Sequence, residues 1–97
     1  MPEKIKKIES MLGEVSPEKY FWAANGAIIK NLQELEPAME NMGEEAFRTH
    51  VNEEKNDFSS WVKDVIGDVE FADQLSKTKD KTMTQLLIVK RILQLRQ

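Results

Sequence analysis

The chain has 97 residues, of which 40% are hydrophobic and 32% are charged, and it contains no cysteine. These values are typical of a soluble globular protein, and we expect residues 1–97 to form a single domain. The lack of cysteine excludes disulfide bonds, thiolate metal sites and cysteine nucleophiles, and it agrees with a cytoplasmic location. No apolar stretch reaches the roughly 18–20 residues of a membrane span, so we expect no contact with a membrane.

The first residues, MPEKIKKIESML, lack the uninterrupted apolar core of a secretory signal and are interpreted as mature protein. Ile5, Ile8, Leu12 and Val15 recur at spacings of 3, 4 and 3, which predicts an amphipathic helix over residues 3–15. This helix would present one apolar stripe to the core.

Charge is distributed unevenly along the chain, although the net charge is only −3. Residues 31–75 carry twelve acids against three bases, whereas residues 76–97 carry six bases against one acid. A basic end on an acidic body can fold onto that body or meet the body of a second copy.

An Asn-Gly pair lies between two short apolar runs in YFWAANGAIIKN, residues 20–31. Asn-Gly favours a two-residue hairpin turn, which would pair Trp22 with Ile29 and Ala23 with Ile28. Both faces of such a ribbon are apolar, so helices should cover them, because an isolated ribbon is marginally stable in water. The competing interpretation is a helical turn over residues 17–25 that ends at Gly26.

Three helices are expected between the hairpin and Gly67. In the first, Asn31 is the N-cap, and Pro37 predicts either a kink or a helix that starts only at Glu36. A short helix, EEAFRTHV, precedes the polar loop NEEKN. The clearest helix is DFSSWVKDVIG, whose apolar residues recur at i, i+3, i+4, i+7 and i+8 between a cap at Asn56 or Asp57 and a stop at Gly67.

Asp68 then caps a further short helix, VEFADQL, and a polar connector leads to the last helix. The predicted fold class is mainly α with a short β-hairpin (small α+β), with about five helices around one core. The core is predicted to contain Ile8, Leu12, Trp22, Ile29, Leu35, Met39, Phe47, Phe58, Trp61, Val62, Val65, Leu75, Leu86 and Leu93.

The last helix, over residues 81–96, is apolar on two sides. One broad face consists of Met83, Leu86, Leu87, Val89 and Leu93, and a second stripe consists of Ile88, Ile92 and Leu95. A small domain cannot easily bury a terminal helix on every side, so this helix either threads through the centre of the domain or meets another molecule with its second stripe. We expect Ile88, Ile92 and Leu95 to form this interface, with a protein partner or a second copy.

The same segment supports an alternative function, nucleic-acid binding through basic residues at positions 77–96. The candidate patch consists of Lys77, Lys79, Lys81, Lys90, Arg91 and Arg96. The acidic remainder of the chain would repel phosphate, which makes nucleic acid the less favoured partner.

The sequence shows no catalytic constellation, and we expect neither an enzyme nor a bound cofactor. An enzyme or metal site centred on His50, the single histidine, is the least favoured alternative, because zinc requires three or four ligands held by structure and one histidine beside loop carboxylates is weak evidence for them. Ser59 and Ser60 are interpreted as residues on the polar side of a helix, because a serine nucleophile needs a base and the chain offers only one histidine for that role. The four glycines are dispersed, one to a turn or helix end, unlike a phosphate-binding loop.

Four segments in order, FWAANG, NLQEL, FRTHV and NDFSSWVKDVIGD, resemble an uncharacterised prokaryotic domain-of-unknown-function family. Its pattern is FxxxxG, NLxEL, FxxHV and NDFxxWVxxVxGDxxLA, and the resemblance covers about residues 20–75. Two departures are Phe71, where the pattern has Leu, and Pro37, which interrupts a helix that the pattern leaves continuous. The resemblance implies that His50, Asp57, Trp61 and Asp68 are family features, and it implies no reaction.

Overall fold

The structure, a computed structural model, describes residues 11–96. The helix predicted over residues 3–15 therefore lies largely outside the described residues, as does the predicted core position Ile8. Met11 and Leu12 are helical, but the helix ends there instead of continuing to Val15. Gly13 follows directly, and glycine is the residue that most weakens a helical turn, apart from proline.

The described part of the chain contains five α-helices and one two-stranded antiparallel ribbon. This architecture confirms the predicted fold class. The strands are β1 (Phe21–Trp22) and β2 (Ile28–Ile29), and the helices are α1 (Leu35–Asn41), α2 (Glu44–His50), α3 (Asp57–Trp61), α4 (Val69–Ser76) and α5 (Lys81–Arg96). Short 3₁₀ turns at Pro17–Lys19 and Leu32–Glu34 precede β1 and α1.

The ribbon is present, but its predicted register is wrong by one residue. Phe21 pairs with Ile29 and Trp22 pairs with Ile28. Because alternate residues of a strand face opposite sides, this shift turns Phe21 and Ile29 into the core and leaves Trp22 67% exposed. Trp22 therefore does not belong to the core.

A longer loop causes the shift. The amide of Gly26 donates to the carbonyl of Ala23, and the amide of Ala23 donates to the carbonyl of Ala27, so residues 24–26 form a three-residue connection. Gly26 has a φ of +91°, the left-handed conformation that closes this class of hairpin. The Asn-Gly pair thus identifies the turn correctly and its length incorrectly.

Pro37 is accommodated without a kink because the helix begins just before it. Asn31 caps the 3₁₀ turn through its side-chain oxygen, which accepts from the amide of Glu34 at 2.9 Å. The α-helical part then starts at Leu35, so Pro37 lies in the first turn, where its missing amide removes no helical hydrogen bond. This outcome is close to the predicted alternative of a start at Glu36.

The third predicted helix changes character halfway along. After α3 the chain continues as one wider π-helical turn over Val62–Ile66, in which the amide of Gly67 donates to the carbonyl of Val62. Asn56 caps α3, and Gly67 ends the wide turn with a φ of +86°. Both residues were predicted in these roles.

The core includes side chains from the ribbon and from every helix of the described residues. Its largest fully buried members are Phe47, Phe58, Phe71, Ile29, Leu32, Leu35, Met39, Met42, Leu75, Ile88 and Val62. Three predicted core residues, Trp22, Leu86 and Leu93, are instead exposed. Leu12 and Val65 are partly buried against the core.

Candidate functional site

His50, the last residue of α2, connects three parts of the fold. Its Nε2 accepts a hydrogen bond from the backbone amide of Ala24, in the hairpin loop, at 2.9 Å. Its Nδ1 lies 2.9 Å from Oδ2 of Asp57, the first residue of α3. Phe21 and Phe58 pack edge-on against the imidazole, with ring centroids 5.0 and 5.4 Å away. The ring is therefore buried and bonded at both nitrogens.

These partners determine the protonation of the imidazole. A backbone amide can only donate, so Nε2 carries no proton and acts as the acceptor. The proton of the neutral ring is then on Nδ1, which donates to the carboxylate of Asp57. A histidine that serves as a general base needs an unoccupied acceptor nitrogen, whereas both nitrogens of His50 bind protein groups.

The carboxylate of Asp57 is shared between two donors. Partial burial by itself raises its pKa, but the hydrogen bonds from His50 and Lys55 outweigh this effect, and the pKa of Asp57 is lowered. The Nζ of Lys55 lies 2.9 Å from the same Oδ2 that accepts from His50. Asp57 is thus held ionised between His50 and Lys55, while Asn56 caps the helix.

Trp61 and Asp68, the other two family-pattern residues, also have structural partners. Trp61 is buried, and its Nε1–H donates to the carbonyl of Lys19 at 2.8 Å. Asp68 caps α4, as predicted, by accepting from the amide of Phe71 at 3.2 Å. Its two carboxylate oxygens also accept from Nε and Nη2 of Arg91 at 2.7 and 3.0 Å. His50 and Asp57 are therefore in direct contact, while Trp61 and Asp68 act elsewhere in the core.

The structure reverses the two apolar faces of α5. Ile88, Ile92 and Leu95, predicted to meet a partner, are buried against this chain's own core, with exposures of 8% or less. The interface prediction is therefore wrong for these three residues. α5 packs on α1 and α4.

The opposite face of α5 is exposed and apolar. Leu86 and Leu93 are more than half exposed, and Val89 lies between them. These residues are three and four apart, so they form one continuous line along the helix. We call Leu86, Val89 and Leu93 the exposed stripe, and Met83, also exposed, lies at its edge.

A groove runs beside the C-terminal half of the exposed stripe. It has a volume of about 300 Å³ and is lined by Val89, Ile92, Leu93 and Arg96 of α5, together with Gln33 and Glu36 from the start of α1. Arg96 donates to the Oε1 of Gln33 at 2.7 Å, which joins the two walls. The groove offers an apolar floor with charged groups at its rim.

The predicted basic patch is not a continuous positive surface. Lys77 pairs with Asp73, Lys79 with Glu53, and Arg91 is mostly buried on Asp68. The remaining members of the predicted patch are Lys81, Lys90 and Arg96. Pairing with acids within the chain reduces the charge available to phosphate, which weakens the case for nucleic-acid binding.

Residues 11–96 include no group of three or more histidine, cysteine, aspartate or glutamate side chains arranged to hold a metal ion. Over the same residues, no helix has both the length and the apolar character needed to cross a membrane.

No known family model, curated protein or solved structure matches this chain. The family resemblance over residues 20–75 therefore stays a prediction, and the geometry of the molecule carries the functional argument.

Proposed function

We propose that this protein is an interaction module that self-associates through the exposed stripe of α5. The observation that carries this proposal is a helix with apolar residues on two opposite sides, of which the described residues 11–96 bury one and leave the other exposed. Leu86 is 57% exposed and Leu93 is 55% exposed, although both are large aliphatic side chains. An uncovered apolar line of this kind is characteristic of a contact surface.

Spacing along the stripe favours a helix as the contacting element. Leu86, Val89 and Leu93 occupy alternating three- and four-residue steps, the spacing of the seam between two paired helices. A second α5 has the same spacing, so two copies can pair along this line.

Charge favours a parallel pair of α5 helices around a two-fold axis. Successive residues of an α-helix are about 100° apart, which places Lys90 on the side of the stripe opposite to Ile92 and α1. In a parallel pair, Lys90 of one copy faces the side of the other copy where Glu36 of α1 borders the groove. In an antiparallel pair around a two-fold axis, the two Lys90 side chains would face each other, which is unfavourable.

The first test is molar mass by light scattering on a sizing column, from about 1 μM to about 1 mM protein. We expect a concentration-dependent dimer that Leu86→Glu converts to a monomer. Gln94→Glu adds the same charge on an exposed part of α5 away from the stripe, and it should leave the dimer unchanged. A wild-type protein that stays monomeric over the whole range would overturn the proposal.

The second test addresses the parallel arrangement. Lys90→Glu and Glu36→Lys should each weaken the dimer because each brings like charges together. The double variant restores an opposite pair and should recover most of the affinity, an effect that is reduced by high salt. If the double variant still dimerises but recovers no affinity, the exposed stripe remains the proposed interface and the pairing of Lys90 with Glu36 is rejected.

A further inference from the structure

We propose that His50 is a pH-operated latch, which holds the hairpin loop of residues 24–26 when neutral and releases it when protonated. This inference is independent of self-association, because its groups belong to α2, the hairpin loop and the start of α3, and none of them belongs to α5. It stands on the geometry of three groups, namely the amide of Ala24, the imidazole of His50 and the carboxylate of Asp57.

Protonation affects the two sides of the ring differently. A proton added to Nε2 turns the acceptor of the Ala24 amide into a donor, so two N–H groups would face each other across 2.9 Å. That hydrogen bond must break. On the other side, Nδ1 already donates to Asp57, and this contact becomes a charge-assisted hydrogen bond. The ring therefore stays attached to α3 and loses only the loop.

The charged groups around the imidazole allow this change to occur in the folded protein. Asp57 faces the ring from α3, and Lys55, in the loop before α3, shares the same carboxylate oxygen. From the hairpin, the ring is faced by Phe21 and the backbone of Ala24, and neither carries charge. On α2 itself, Arg48 is exposed and paired with Glu44.

Release would act on the end of the ribbon that carries its exposed apolar pair. Trp22 and Ile28 are the paired strand residues nearest the loop, one residue away from it on each side, and both are exposed. Within residues 24–26 the Gly26 amide bonds inside the turn, whereas the Ala24 amide bonds to His50. Losing the bond to His50 would leave the ribbon intact and its loop less ordered.

The test is residue-resolved amide hydrogen exchange by NMR at about pH 7.5 and about pH 5, corrected for intrinsic exchange rates. We expect the protection of Ala24 to fall at least about tenfold more than that of Gly26. The ¹⁵N signals of the imidazole in the same samples should show a proton on Nδ1 alone at the higher pH. Equal changes at Ala24 and Gly26, or a proton on Nε2 at the higher pH, would overturn the proposal.

Two variants separate the latch from a general effect of acid. His50→Gln retains a side-chain acceptor for the loop and does not titrate, so the selective loss of Ala24 protection should disappear. Lys55→Met leaves Asp57 to His50 alone and keeps both hydrogen bonds of the imidazole, so the selective loss of Ala24 protection should persist. Selective loss that persists in His50→Gln would show that His50 is not its cause.

Discussion

Asp68 and Arg91 form a two-point ion pair between the start of α4 and the middle of α5. The side chain of Asp68 is 2% exposed and that of Arg91 is 17% exposed. The carboxylate also caps α4 by accepting from the amide of Phe71. One aspartate therefore joins two helices and closes the end of one of them, which makes it the most connected buried polar group described above.

Replacing Asp68 with Ala should destabilise the protein by about 3–5 kcal/mol, because it leaves a mostly buried guanidinium without its carboxylate partner and removes a cap. Chemical denaturation monitored by circular dichroism measures this free energy of unfolding. The exposed pair of Lys77 and Asp73 provides the control, since Lys77→Ala should change stability by at most about 0.5 kcal/mol. Similar losses of stability in Asp68→Ala and Lys77→Ala would contradict the expectation that a buried ion pair contributes more than an exposed one.

Asp57 should make stability depend on pH in the acid range. Its pKa in the folded protein is below the ordinary value of 3.8. The ionised carboxylate therefore stabilises the folded state above that pH, and this contribution is lost as the pH falls through the lower folded pKa. We expect Asp57→Asn to be less stable at neutral pH and to lose less stability on acidification. Denaturation midpoints from about pH 6 to about pH 2 measure the difference. The exposed Asp64→Asn should retain the wild-type dependence.

The observed register of the hairpin can be tested with neighbouring residues. Phe21→Ala should cost about 3–5 kcal/mol, because its ring packs on Phe58 and Trp61 in the core. Trp22→Ala should cost no more than about 0.5 kcal/mol, since its side chain is largely exposed. The free energies of unfolding of the two variants decide the question. A larger loss of stability in Trp22→Ala than in Phe21→Ala would favour the register with a two-residue turn.

Gly67 should resist replacement for a conformational reason alone. An added Cβ would meet no atom within 4 Å, but the φ of +86° is unfavourable for most side chains. We expect Gly67→Ala to destabilise the protein by about 1 kcal/mol. Gly67→Asn should cost less, because asparagine tolerates the left-handed region. Thermal or chemical unfolding of both variants gives the comparison, and equal costs would point to packing instead.

Local signals in the sequence predicted the fold class and several helix ends. The caps at Asn31, Asn56 and Asp68 and the stop at Gly67 depend on side chains within one turn of the residue they serve, so the sequence contains the necessary information. The hairpin register depended on loop length. Asn25-Gly26 fits a two-residue turn and a three-residue loop that includes Ala24 equally well, and burial of Phe21 decides between them.

The faces of α5 could not be assigned because both are apolar. Arg91 distinguishes the two faces, although the sequence predicted it to be part of the basic patch. It lies three residues after Ile88 and next to Ile92, on the side of the helix that faces the core, where it pairs with Asp68. A basic residue on the buried side of a helix requires an acidic partner there, and the sequence predicted Asp68 only as a helix cap. Likewise, the hydrogen bond from the amide of Ala24 to His50 spans 26 residues, so no pattern of neighbouring residues predicts it.

The wide turn over Val62–Ile66 has a consequence for how the length of this chain can vary. A π-helical turn contains one residue more than the α-helical turn it replaces, and here the carbonyl of Val62 accepts from the amides of both Gly67 and Asp68. Lys63 and Asp64 lie on the exposed side of this turn. Deleting either one would allow the turn to close with ordinary helical hydrogen bonds while the cap at Asp68 and the helix after it stay in place. Among homologues, a gap of one residue is therefore expected here before any other helical position.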